Sequence, residues 1–315
     1  MQRSLRIGTR GSKLALAQTA EFRDKLAAVQ GWSEREAANL METVVIRTQG
    51  DRVQTQDLTL MGGKGLFVKD LEIALADNRI DVAVHSVKDM LPVLMDGLEL
   101  GAMLPRADPH DALFLHEGKT LQDLPKGASF GTSSPRRKAQ MLSLRPDLKV
   151  VPLRGNVDTR IAKIISGEID STVMAVAGLT RLGQAAIASQ VMLFDQMLPA
   201  VAQGAIGLQI RQDDAWARQY VESVNDVNTQ FCVTAERSFL AVLDGTCRTP
   251  IAGLAEIVGD DVLLRGQVLD PLGVQTCDIQ KRALCDPRNL DEARDLGAAA
   301  GAEMLDLAGP SALKV

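Results

Sequence analysis

Apolar and polar positions along the first third of the chain follow two alternating rhythms. Short apolar runs, LRIGT, TVVIRT and DVAVH, are separated by stretches with helical spacing, one from about Ser12 and one near Leu66. In the second stretch Phe67, Leu71, Ala74 and Leu75 stand at i, i+4, i+7 and i+8, which gathers them on one helix face. Strand-length runs alternating with helical stretches predict β-α-β units and a mostly parallel sheet. A second series follows Pro105: ALFLH, SFGTS, KVVPL, a helix carrying Val157, Ile161, Ile164 and Ile165, then STVMAVAG. Two similar α/β units therefore lie in tandem. The segments 98–108 and 198–207 are placed to carry the chain across and back, and LPAVAQGAIGLQIR is placed to add a strand to the first unit. Two crossings make a hinge around a cleft, and α/β folds bind ligands at the ends of their parallel strands.

The pattern changes after a long helical stretch from about Asn228 to Leu243. The runs IAGLAEIV, VLLRGQVL and GVQTCDIQ are punctuated by Gly259-Asp260-Asp261 and by Asp270-Pro271-Leu272-Gly273. The latter has Asp, Pro and Gly at the first, second and fourth positions of a β-turn. A small three-stranded antiparallel sheet with a closing helix after Asp291 is expected. The domain division that follows is 1–104 with about 203–224, then 105–202, then 225–315.

Composition narrows the function classes. The 315 residues are 46% hydrophobic and only 3% aromatic, which suits aliphatic α/β layers in two or three domains of roughly 100 to 150 residues. A net charge of −5 argues against bulk attraction to nucleic acid or an anionic membrane, so any anionic ligand must be met by local arginines. The start, MQRSLRIGTRGSKLALAQ, lacks the apolar core of a signal peptide, and no run approaches the roughly 18 apolar residues of a membrane span. A cytoplasmic protein is expected. Cys232, Cys247, Cys277 and Cys285 form no C-x-x-C pair and there are three histidines, so no metal site is expected and the cysteines read as free thiols.

Candidate chemistry sits where strands run into loops or helices. Arg10 in GTRGS, Arg136 and Arg137 in GTSSPRRKAQ, and Arg154 and Arg160 in LRGNVDTR combine guanidinium forks with backbone N–H groups at helix starts, which favours carboxylate or phosphate binding. The run Gly62 to Gly65, GGKG, lacks the Ser or Thr and the upstream Gly of a phosphate loop, and reads instead as a Gly-hinged loop whose Lys64 can close over a cleft. In DVAVHSVKDMLP, Lys88 and Asp89 follow an apolar strand, well placed to stabilise a cation or move a proton. A hydrolase built on Ser86, His85 and Asp89 is disfavoured because no nucleophile elbow surrounds the serine.

Together TRGSKLALAQ, GGKGLFVKDLE, VHSVKDMLP, GTSSPRRKAQ, LRGNVDTRIAK, AVAGLTRLG, LPAVAQGAIG and LDGTCRTPIAG resemble the porphobilinogen deaminase family over nearly the whole chain. The resemblance implies two periplasmic-binding-protein-like α/β domains with a cleft between them and a C-terminal α+β domain. It implies a dipyrromethane primer on Cys247 through a thioether, a bond suited to a thiolate nucleophile that Arg248 would favour. Arg10, Ser12, Ser133, Ser134, Arg136, Arg137, Arg154, Gly155, Asn156, Arg160, Arg181 and Gln203 are implied to bind cofactor and substrate, with Ser86. Asp89 is implied to stabilise the cationic azafulvene formed on loss of ammonia, Lys88 to act in the cleft, and Lys64 and Phe67, in the family's mobile loop and the helix that follows it, to join the cofactor- and substrate-binding residues. The implied reaction joins four porphobilinogen units before hydrolysis, by a monomer. Two departures stand out: Leu60 replaces a second loop lysine, and Gly245-Thr246-Cys247 replaces Gly-Gly-Cys. A solute-binding protein without chemistry and a nucleotide-dependent transferase using GGKG are the competing readings.

Overall fold

Four of the five residues of strand β1 (Leu5–Thr9) are buried, as expected where a strand is covered on both faces. The protein is described here by a computed structural model covering residues 3–47, 68–243 and 249–309. It divides into two compact units, Met1–Ala107 with Ala205–Gln230, and Asp108–Gly204 with Phe231–Val315.

In the first unit β1 pairs in parallel with β2 (Met41–Val45) and β3 (Val82–Ser86), while β10 (Ile206–Arg211) inserts antiparallel between β3 and β4 (Leu98–Met103). The sheet order is β2-β1-β3-β10-β4, so four strands run the same way, as expected, and β10 alone runs against them. β10 arrives from a distant part of the chain and needs no crossover helix, which frees it to run either way. All six of its residues are buried. At Gly207 a Cβ would stand 2.7 Å from Val87 and 2.9 Å from Leu100, so only glycine lets the strand sit this close.

Helix α1 (Lys13–Gln30) starts on Ser12, whose side chain accepts from Ala15 N, and buries Ala15, Gln18, Thr19, Phe22 and Leu26 on the sheet. Helix α2 (Glu34–Leu40) is a further element whose Ser33/Glu36 capping box is legible in the sequence although it buries nothing. Helix α3 (Lys69–Ala76) buries Leu71, Ala74 and Leu75, three of the four positions read as its apolar face; Phe67 lies outside the described residues. Helix α7 (Ala215–Glu222) packs on the same sheet, with Trp216 and Tyr220 against the core. Asp81, fully buried, gathers Arg3, Arg6 and Arg211.

The second unit holds a five-stranded sheet in the order β7-β6-β8-β5-β9. β6 (Ser129–Gly131) pairs in parallel with β7 (Lys149–Val151) and β8 (Ser171–Ala175), whereas β5 (Asp111–Leu115) runs antiparallel to β8 and to β9 (Gln190–Val191). Helices α4 (Pro135–Leu144), α5 (Val157–Ile165) and α6 (Val176–Arg181) follow β6, β7 and β8. In α5 Ile161 and Ile164 are buried but Ile165 is 71% exposed, because it lies about 100° round the helix from Ile164. The expected C-terminal sheet is present: β11 (Ile251–Val258), β12 (Asp261–Leu269) and β13 (Thr276–Leu284) form an antiparallel meander. Its Asp270 turn closes by Gly273 N donating to Asp270 O at 3.0 Å. Helix α8 (Val227–Val242) precedes this sheet and α9 (Leu290–Ala308) follows it. Glu236 on α8 is fully buried and accepts from Ala202 N at 2.5 Å and Ala255 N at 2.8 Å. Ala202 is held at φ 60°, a conformation L-residues seldom adopt.

Candidate active site

In the first unit the candidate residues collect at the C-terminal ends of β1 and β3. Arg10, Ser12, Gln18, His85, Ser86 and Asp89 line one cavity of about 70 Å³, with Leu14, Ala15, Val68 and Val84 supplying apolar wall. Asp89 ends a single 3-10 turn, Val87–Asp89, flanked by two anchors: Val87 is buried and donates to Ala205 O at 3.2 Å, and buried Met90 donates to Val87 O at 3.0 Å. The half-buried Asp89 carboxylate has no hydrogen-bond or ion-pair partner among the described residues. A carboxylate so placed can receive N–H groups and balance developing positive charge. Lys88 is half-buried in the same turn.

The wall of this cavity is fixed by residues the sequence reading did not single out. Gln209 Nε2 donates to Glu72 Oε1 at 2.8 Å, which orients the amide so that its Oε1 faces His85 Nε2 at 2.9 Å. His85 Nε2 must therefore carry a hydrogen. The Ser86 hydroxyl receives from Gln18 Nε2 at 2.7 Å. His85 Nε2 is thus turned to Gln209, which counts against the serine hydrolase alternative. Gln18 was findable as a buried amide on the apolar face of α1; the long-range Glu72–Gln209–His85 chain left no local signal.

In the second unit Ser133, Ser134, Arg154, Gly155 and Asn156 occupy the loops at the C-terminal ends of β6 and β7. Ser134 caps α4 and Ser133 Oγ donates to Leu153 O at 3.1 Å, tying the two loops together. Asn156 caps α5 by accepting from Thr159 N at 2.8 Å. Gly155, at φ 111° and with Thr159 3.0 Å from where a Cβ would lie, must be glycine. Arg160 Nε donates back to Gly155 O at 2.9 Å, and Arg154 is exposed on the loop. Arg181, at the end of α6, donates to Gly204 O at 3.2 Å.

Arg136 and Arg137 are not surface forks. Both lie buried in the first turn of α4, each with a terminal nitrogen on Asp111, at 2.7 Å and 2.6 Å. Arg136 also donates to Leu198 O at 2.8 Å, and Gln203 Nε2 lies 3.2 Å from Asp111 Oδ1. Burial by itself pushes the Asp111 carboxyl up, but the two guanidiniums outweigh it and hold the group well below the usual carboxylate range. Burial lowers the Arg136 pKa, with the charge of Arg137 adding to it and Asp111 opposing. The Nε–H groups of both arginines are buried without an acceptor among the described residues. These orphaned donors fit a carboxylated ligand. Lys64, Phe67 and Cys247 lie outside the described residues.

Comparisons with known proteins agree along the chain. Residues 5–219 match the family described as porphobilinogen deaminase, dipyromethane cofactor binding domain, and residues 230–306 match the porphobilinogen deaminase C-terminal domain. The porphobilinogen deaminase of Paracoccus denitrificans is 50% identical over 86% of this chain and 86% of its own. That of Nitrobacter hamburgensis is 45% identical over 96% of this chain and 95% of its own. Among solved structures, a periplasmic substrate-binding protein of an ABC transporter from Coxiella burnetii matches with a TM-score of 0.43 at 14% identity, over 70% of this chain and 91% of that one. With both family models matched in order and relatives at this identity along nearly its full length, the chain belongs to the porphobilinogen deaminase family.

Proposed function

We propose that the chain condenses four porphobilinogen molecules head to tail, with loss of ammonia at each step, on a covalent dipyrromethane primer, and then releases hydroxymethylbilane by hydrolysis. The observation that carries this is the match of both family models to nearly the whole chain, together with a carboxylate in one cavity and buried arginine donors elsewhere that have no partner among the described residues. When bound, the dipyrromethane supplies the nucleophilic pyrrole carbon to which substrate adds.

The protein's own side chains divide the remaining work. Asp89 receives pyrrole N–H groups and balances the positive charge that develops as ammonia leaves, its anchored turn sparing any reorganisation. Lys88 supplies the acidic partner in the same turn. Arg10, Ser12 and Ser86 hold the acetate and propionate groups of substrate beside it. Arg136, Arg137, Arg154, Arg160 and Arg181, with Ser133, Ser134, Gly155, Asn156 and Gln203, hold the carboxylates that accumulate as the product lengthens. An acidic protein thereby keeps a basic binding surface. Cys247 carries the primer on the strength of its segment LDGTCRTPIAG, and Lys64 and Phe67 are assigned to cofactor and substrate binding on the strength of GGKGLFVKDLE. The domain division 1–104 with about 203–224, 105–202 and 225–315 matches these tasks. We place the enzyme in the cytoplasm as a monomer; Cys232, Cys277 and Cys285 are free thiols, in keeping with a reducing compartment.

Intact mass tests the reading. The purified protein is expected to exceed its sequence mass by two deaminated porphobilinogen units, unaffected by thiol reductants because a thioether is not opened by exchange. Cys247→Ala is expected to lack adduct and activity, while alanine at Cys232, Cys277 or Cys285 keeps both. An unmodified but active protein, or an adduct mapped to another cysteine, rejects the assignment.

A further inference from the structure

Three residues expected to bind ligand converge on one that was not expected, Asp111. It opens β5, is wholly buried, and offers one oxygen to Arg136 and the other to Arg137, with the Gln203 amide 3.2 Å from Oδ1. The arginines approach from the first turn of α4, which is the wrong end of a helix for cations: the positive pole of the macrodipole faces two guanidiniums that also repel each other. A carboxylate fixed between them is the group that makes this placement tolerable.

The local charges do not close. Two guanidiniums face one carboxylate, and among the described residues both Nε–H donors are left without acceptors although the side chains are buried. A cluster present only to hold the fold is expected to satisfy its buried donors, since each orphan costs about 1–3 kcal/mol. What is left over, one positive charge and two N–H groups, complements one further carboxylate. The backbone around the cluster is also pinned: Arg136 and Gln140 both donate to Leu198 O, at 2.8 Å and 3.0 Å, and Leu198 N returns a bond to Gln140 at 2.7 Å.

We infer that Asp111 is a positioning residue for the condensation: by taking one terminal nitrogen from each of Arg136 and Arg137 it sets the two forks apart and reserves their remaining charge for a carboxylate of the bound pyrrole chain. Asp111 itself does not touch ligand. The inference rests on the reading that these two arginines hold pyrrole carboxylates.

Its test is the turnover of Asp111→Asn and Asp111→Glu per adduct-bearing chain, with the adduct counted by intact mass and the fold checked by circular dichroism. Misaimed forks should lower kcat per adduct by about tenfold or more while KM for porphobilinogen stays within about twofold, because the acceptor end is displaced rather than the substrate pocket lost. In the Arg137→Leu background, Asp111→Asn should add little, since its effect passes through the arginines. A folded variant that never acquires the adduct supports the inference equally. If Asp111→Asn does not fold, Asp111→Glu, which keeps the charge but shifts it by one methylene, carries the test. Normal kcat per adduct in a folded Asp111 variant overturns the inference and leaves Asp111 a fold-supporting ion pair. Arg136→Leu and Arg137→Leu separate the two failures: if both load and turn over normally, the ligand-binding reading of the arginines falls and the inference with it; if they are impaired while the Asp111 variants are normal, only the inference falls.

Discussion

In the first unit Asp89 rides a short turn beyond β3, half-buried, with a carboxylate that has no partner among the described residues. In the second unit Asp111 opens β5 fully buried, with a guanidinium on each oxygen. The residue type is the same and the surroundings reverse its use. An aspartate left unpaired beside an apolar wall keeps its charge available to a ligand, whereas one saturated by two arginines has spent its charge inside the protein and can act only by arranging them. The rest of each cluster follows suit. The first cavity sets one guanidinium, Arg10, with hydroxyls, an amide and an imidazole around a single carboxylate, and the second cluster places two guanidiniums on one carboxylate.

The largest effect should come from Asp89→Asn, which keeps the size of the group and removes its charge. Turnover should fall by about 100-fold or more, the scale of losing one preorganised electrostatic group, with an unchanged unfolding midpoint. Single-turnover kinetics beside a urea titration would show it. Near-normal turnover would erase the contrast between the two aspartates.

A second, smaller effect lies in acid. The Asp111 carboxyl is held below its ordinary value in the folded state, so its contribution to stability is complete above the unfolded pKa and is lost as pH falls towards the folded one. The difference in unfolding free energy between wild type and Asp111→Asn should therefore shrink by about 1 kcal/mol between pH 7 and pH 3. Urea titrations at the two pH values measure it.

The smallest effect concerns the backbone beside Gln203. Ala202 sits at φ 60° with its N–H bonded to Glu236. Ala202→Gly removes about 1 kcal/mol of strain but gives the unfolded chain a similar amount of freedom, so the net change should stay under about 1 kcal/mol by thermal unfolding. A larger loss would mean that the buried methyl, rather than the clamp from Glu236, holds this turn.

Much of this architecture was readable along the chain. The runs that became β1, β3, β5, β8 and the C-terminal meander are apolar over strand length, and the Asp270-Pro271-Leu272-Gly273 turn carries its own chemistry. Ser12 stands where α1 starts, as read, and Arg10, Arg136, Arg137 and Arg154 stand where strands run into loops or helices. These features are local: a period, a cap or a turn is decided by neighbours within a few residues. The placement of the candidate residues at strand ends was legible for the same reason.

What the sequence determined by itself was therefore the inventory, meaning which segments form strands and helices, which strand ends carry Arg10, Asp89, Arg136, Arg137 and Arg154, and which family the ordered motifs resemble. The tertiary structure alone decided who meets whom. β10 lies antiparallel between β3 and β4, His85 reaches Gln209 across 124 positions, and Asp111 meets Arg136 and Arg137 across 25 and 26. Pairings over such distances depend on the burial of whole sheets rather than on any local preference, and so an aspartate that reads as an ordinary strand start becomes the centre of a charge cluster only once the chain has closed around it.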